Sequence, residues 1–337
     1  MSTSAAGYPD AAVSPAPLTG VRPSAPTRTG VPLNYFGMSF GLAGLAGTWT
    51  EAATLLGSPP LLGELLWALA MLVWIGTIGT YAVGARTLSH VVQDLRHPVL
   101  GPFAALVPLP PMLLGAHLAG LAPVVSDVLV WVAVGGSALF GGWFLARIVT
   151  APPGFSAVHG GYLLPTVAAG LVAAQTLATI GAHDVALAAF GSGALFWALF
   201  GAALLARVLS GPELPGGLLP TFAIFAAPPA VAGNAWWVLS GQDVGYVGLA
   251  LAGAMVAVVL PHLFLLPRYL AQPFTPGFWA FTFTAAASAT FGVRMLSNAS
   301  TVWSTAGAWL LVAAATVVIG VIGVLTVVAL APRRKEE

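Results

Sequence analysis

Apolar residues along this chain do not recur at strand or helix period. They come in nearly unbroken runs of about twenty, the length that crosses hydrocarbon as an α-helix. Bounded by charges and by Gly, Pro, Asp or Ser, the runs predict helices at 32–56, 61–85, 102–121, 125–149, 161–181, 185–209, 218–240, 244–266, 277–296 and 302–330. A transmembrane strand would alternate apolar and polar residues, whereas 311–330 is apolar at nearly every position, so helices and not a barrel are expected. Most connections are short and rich in turn residues, which makes consecutive helices antiparallel neighbours. The expected fold is an all-α integral membrane protein of ten transmembrane helices in five hairpins.

Charge placement tests that count, because basic residues gather on the cytoplasmic side of a membrane. With ten spans, Arg22, Arg28, Arg86, Arg96, Arg147, Arg207, Arg268, Arg333, Arg334 and Lys335 all fall on one side, and Arg294 alone falls opposite. Glu51, Glu64, Asp127, Asp184 and Asp243 sit on that opposite side. An error of one span would scramble the segregation, so both termini are placed in the cytoplasm. Only 6% of the 337 residues are charged, against roughly 25% in soluble chains. Residues 1–30, rich in Ser, Pro, Ala and Gly and without an apolar core, are expected as a disordered cytoplasmic tail and not a cleaved signal. Residues 31–331 form the membrane domain and 332–337 a short charged cytoplasmic tail. The net charge of +1 gives no reason to expect nucleic acid as a partner, and the absence of cysteine excludes disulfides and thiolate metal sites.

Proline follows span parity. Spans three, five and seven carry Pro108, Pro110 and Pro111; Pro165; and Pro220, Pro228 and Pro229, while of the even spans only the eighth has one, Pro261, near its end. Proline removes a helix hydrogen bond and frees carbonyls that need protein or water. Kinked odd helices inside a layer of straighter even ones would form a ring around an axis, with glycine-rich span one (Gly41, Gly44, Gly47) among them. Proline is also common in transmembrane helices at large, so parity alone leaves both readings open.

Candidate chemistry is sparse. Ionisable groups deep in a membrane mark proton relays or ion coupling. The nearest candidates, His117 and His262, are expected toward interfaces, held by backbone or headgroup, and Glu51 and Glu64 lie too close to span ends to form a buried carboxylate pair. No nucleophile elbow, phosphate loop or metal-spaced histidines are present, and His159-Gly160-Gly161 reads as a loop entering a helix. No enzyme activity and no cofactor are expected. Trp49, Trp67, Trp131, Trp236, Trp237 and Trp303 fall mostly near span ends and read as interface anchors. A conduit without fixed charge still conducts anions weakly held by backbone dipoles, and it favours those that shed water readily, nitrate over chloride.

Span nine contains Gly277-Phe278-Trp279-Ala280-Phe281-Thr282-Phe283 followed by the small residues 285–289, and span one contains Tyr35-Phe36-Gly37-Met38-Ser39-Phe40-Gly41. With His97-Pro98 before span three and Ala227-Pro228-Pro229-Ala230 in span seven, these segments resemble the bacterial tellurite-resistance/dicarboxylate transporter (TehA-like) family. That family includes the slow anion channels of plant guard cells. The resemblance implies five hairpins in quasi-five-fold array, odd helices lining a central pore, homotrimers, and the bacterial inner membrane as location. It implies that Phe283 plugs the pore, that Gly37 packs against its ring, and that Phe36, Pro110, Pro165, Pro228, Thr282 and Thr284 line or kink the pore helices. Thr284 stands where the plant branch has proline, and Arg294 is left as either an outer-mouth attractor of anions or a snorkelling structural residue. Small inorganic anions and the lipid bilayer are the expected partners. A transporter of tellurite, C4-dicarboxylates or toxic compounds is the alternative.

Overall fold

The computed structural model describes residues 30–299 and 301–331. Apart from Gly30, the tails expected at 1–30 and 332–337 lie outside the described residues, with Arg22, Arg28, Arg333, Arg334 and Lys335. Among the described residues the chain forms eleven α-helices and no strand. They are α1 (Phe36–Leu56), α2 (Leu61–Ala85), α3 (Leu88–Arg96), α4 (Leu109–Leu118), α5 (Pro123–Thr150), α6 (Ala169–Thr179), α7 (His183–Ser210), α8 (Ala227–Leu239), α9 (Gly245–Leu270), α10 (Ala280–Ser297) and α11 (Val302–Leu330).

Eight stretches are long and apolar enough to cross a bilayer, and they coincide with expected spans two to eight and ten. Spans one and nine form helices, α1 and α10, that are not among the eight. Their hydropathy is lowered by Ser39, Thr48, Thr50 and Glu51 in one and by Thr282, Thr284, Thr290 and Arg294 in the other. The physical reason is burial, since these two helices pack on each other and on α2, α8 and α11 and need little lipophilic surface. Burial also alternates along the chain. In Gly101–Leu118, Gly160–Thr179 and Leu219–Leu239, 67, 83 and 72% of the most apolar stretch is buried, against 0 to 28% in α2, α5, α7, α9 and α11.

One local order recurs five times. A 3-10 helix (Leu33–Tyr35, Gly101–Leu106, Gly160–Leu163, Leu219–Ala226 or Pro276–Trp279) leads into a shorter α-helix (α1, α4, α6, α8 or α10), and a longer one follows. In the third unit a π-helical turn, Leu164–Ala168, intervenes. Proline explains the joints. Pro102, Pro220 and Pro276 occupy the first turn of their 3-10 helices, and Pro110 and Pro228 occupy the first turn of α4 and α8. There an N–H would lack an α-helical partner anyway, and the fixed φ is already helical. Pro110 and Pro228 therefore start helices after a change of winding and do not kink the interior of a continuous rod, as span position had suggested.

Three further features differ from expectation. The loop after α2 contains α3, a polar nine-residue helix capped by Thr87 that is too short to register as a run. Span eight continues as α9 to Leu270, with Pro261 and Pro267 both inside the helix. Arg207, expected in a charged loop, is 1% exposed. Its guanidinium donates to the carbonyls of Pro212 and Ser156 beside the C-terminus of α7, where carbonyl oxygens favour a cation.

Candidate functional site

The five 3-10-to-α segments enclose two cavities in series. An apolar one of about 50 Å³ is lined toward the start of each segment, by Gly37, Phe103, Leu164, Pro228 and Ala280 among others. A polar one of about 200 Å³ is lined further along the same segments, by Glu51, His117, Gln175, Asn234 and Arg294 among others. Phe283 and Val231 line both, so the layer between the cavities contains them. The Phe283 ring stacks on Phe40, centroids 3.6 Å apart and planes 18° apart. The two rings lie face to face and join α1 to α10.

Glycines on α1 allow that approach. A Cβ on Gly37 would lie 3.2 Å from Trp279 Cβ, one on Gly41 would collide with Thr282, and one on Gly44 would lie 2.9 Å from Phe283 Cδ2. The glycine against the plug candidate is thus Gly44. Gly37, expected there, faces Trp279 one and two turns earlier, although it does line the apolar cavity.

Of the remaining expected pore residues, Pro228 and Thr284 line the apolar cavity and Arg294 the polar one. Phe36 is 1% exposed and packs edge-on against Tyr81 of α2. Thr282 is fully buried against Gly41 and donates to the Trp279 carbonyl. Pro110 lines neither cavity, and the carbonyl of Pro165 faces Gly141 of α5. These four belong to packing between segments. A helix face in an all-apolar run is hard to assign from sequence, because no polar stripe marks its opposite side.

Hydrogen bonds fix the layer. Thr284 Oγ1 donates to the Ala223 carbonyl at 3.0 Å, tying α10 to the 3-10 helix before α8. Thr48 and Thr290 share a hydroxyl contact of 2.9 Å between α1 and α10, and Asn234 Nδ2 donates to the Ala287 carbonyl at 3.0 Å.

The polar cavity carries fixed charge, contrary to the expected charge-free conduit. Arg294 is 7% exposed. Its Nη2 donates to Glu51 Oε2 at 2.7 Å and its Nη1 to Asn234 O and Oδ1, each at 3.1 Å. The residue therefore turns inward and does not snorkel. His117 Nε2 lies 3.1 Å from Glu64 Oε2, and the ring stacks on Trp67, so its partner is a carboxylate and not backbone or headgroup. Trp67, 6% exposed, lines the polar cavity and Trp237, 7% exposed, packs beside the Arg294 guanidinium, whereas Trp303, at 87%, is free to meet an interface. His262 pairs with Tyr269 in its own helix at 2.8 Å. On the other side of the apolar cavity, His159 is fully buried at the start of its 3-10 helix, its Nδ1 accepting from Gly161 N and its Nε2 donating to the Val99 carbonyl. Burial pushes it down to about 4, with the Val99 carbonyl opposing, so it is neutral at pH 7 and works as a wedge.

Phe40, Val231, Gly44, Glu51 and Asn234 were missing from the expected site. Only Glu51 left a usable trace, as a lone acid in one run facing a lone arginine in another.

The family model described as SLAC1, voltage-dependent anion channel, matches residues 30–327. The chain is 29% identical over 282 residues to the tellurite resistance protein TehA homolog of Haemophilus influenzae, covering 80% of each chain. It is 25% identical over 287 residues to the S-type anion channel SLAH2 of Arabidopsis thaliana, covering 77% of this chain and 52% of that one.

Proposed function

Because the chain belongs to the SLAC1 family of voltage-dependent anion channels, we propose that it is a passive, gated channel for small monovalent anions, nitrate and chloride. Its path runs through the two cavities and is plugged by Phe283. The observation that carries the reading is the position of that ring in the layer common to both cavities, stacked on Phe40. A phenyl ring there excludes volume and offers no ligand to an ion that must shed water, so it acts as a hydrophobic gate. Gly37, Pro228 and Thr284 form the wall on one side of it and Arg294 the wall on the other. Arg294 attracts anions toward the path in proportion to the charge that Glu51 leaves uncompensated.

The proposal extends to architecture. Ten helices form five hairpins in quasi-five-fold array, with α1, α4, α6, α8 and α10 inside. Alternating burial and the shared cavity linings support this. Homotrimers in the inner membrane, with both termini cytoplasmic, complete it. The apolar lining of the first cavity, up to Phe283, compensates little for lost water and so favours nitrate over chloride.

Current through purified protein in planar bilayers tests the gate. Wild type is mostly shut, and Phe283→Ala raises anion current by at least about ten-fold, about 1.4 kcal/mol of barrier. Equal currents would remove the gate. Similarity to a tellurite resistance homolog favours a second reading, an exporter of tellurite or C4-dicarboxylates. Flux that saturates and requires a pH gradient would establish that reading instead.

A further inference from the structure

The charged pair of the polar cavity has a half-used side. A guanidinium presents Nε and one Nη as a planar fork that matches the two oxygens of an oxyanion. In Arg294 the Nη1 group is held by Asn234 O and Oδ1, and Trp237 lies 5.9 Å away under the guanidinium carbon. The fork is therefore fixed in orientation. Glu51 takes one prong only, through Nη2, and Nε has no partner.

We propose that the fork of Arg294 is a binding site for a small planar oxyanion such as nitrate, and that the Glu51 carboxylate is its tethered occupant. This rests on the reading that anions traverse the polar cavity. The cavity, of about 200 Å³, has room for such an ion with several waters at about 30 Å³ each. The other charged or titratable groups facing it are His117 of α4 and, bound to that histidine, Glu64 of α2. From α6 come the neutral Gln175 and Thr179, and from α8 the neutral Asn234. Among the described residues Glu51 is the one carboxylate within ion-pair distance of Arg294. Being covalently attached, it competes at a high effective concentration, so free anion loses to it. Neutralising Glu51 leaves a buried cation without compensation, and an anion from solution takes its place.

The test uses the full-length protein in detergent as wild type, Glu51→Gln and the double variant Glu51→Gln/Arg294→Gln. Sodium nitrate is titrated against sodium gluconate at constant ionic strength, and thermal unfolding is read. Nitrate raises the melting temperature of Glu51→Gln, wild type needs at least about ten-fold more nitrate for the same rise, and the double variant does not respond. In bilayers, current through Phe283→Ala/Glu51→Gln half-saturates at about ten-fold lower nitrate than through Phe283→Ala. Equal nitrate responses in wild type and Glu51→Gln, a response that survives in the double variant, or a Glu51→Gln protein that does not fold even in nitrate would each overturn the site. If Phe283→Ala passes no anion while Glu51→Gln still binds nitrate, the channel reading fails and the site stands.

Discussion

A phenyl ring between two cavities holds its rotamer through its neighbours. Phe283 has Phe40 on its face and the bare Cα of Gly44 at its edge. Gly44→Ala places a methyl 2.9 Å from Cδ2, closer than carbon atoms pack, and the ring must shift off Phe40. Bilayer current is expected to rise, by less than in Phe283→Ala, while the protein stays folded; current at the wild-type level would show that the ring tolerates the methyl in place. His159 gives a second residue-scale expectation. Its folded value of about 4 lies below the unfolded 6.5, so below pH 6.5 the unfolded chain binds the proton first. The stability it contributes is complete above pH 6.5 and falls as pH drops toward 4, by up to about 3 kcal/mol. Melting in detergent from pH 7 to 4.5 should show a shallower loss for His159→Gln than for wild type. The family resemblance of the segment 277–283 nominated Phe283 and Thr284, and Arg294 stood out as the one base on its side of the charge pattern. Phe40, Val231 and Gly44 interrupt nothing, since one apolar or small residue among many carries no contrast.

At the scale of elements, the change from 3-10 to α winding is where proline acts. Because Pro110 sits in the first turn of α4, Pro110→Ala removes no strain and restores an N–H of little use. The expected change in stability is within about 1 kcal/mol, against 3 kcal/mol or more for proline breaking a helix interior. Gly41→Ala is the contrasting case. A methyl there collides with Thr282, forces α1 away from α10, and costs about 1–3 kcal/mol or more, read as a lowered melting temperature. Proline parity and the hairpin rhythm were legible because they are compositional. The joints were not, since a 3-10 turn and an α turn share the same apolar alphabet, and neither was α3, whose polar sequence escapes a search for apolar runs.

For the whole molecule, all ten expected segments were readable as runs and are helical, although α1 and α10, written in the Ser, Thr and Gly of helices that face protein, fall short of the hydropathy of the other eight. The proposed orientation is checked by reporter fusions. A fluorescent protein at either terminus should fold in the cytoplasm, and a periplasm-dependent reporter at Asn298 should be active; the reverse pattern would invert the topology. The pairing of α1 with α10 also bears on biosynthesis. Arg294, in the last turn of α10, leaves the ribosome 243 residues after Glu51. Until the ninth segment arrives, α1 has no counterpart for its bare glycine face or its acid. The first and ninth segments therefore meet only after the seven between them have been made. Truncation after residue 275 is expected to leave a protease-sensitive product, whereas truncation after residue 331 does not.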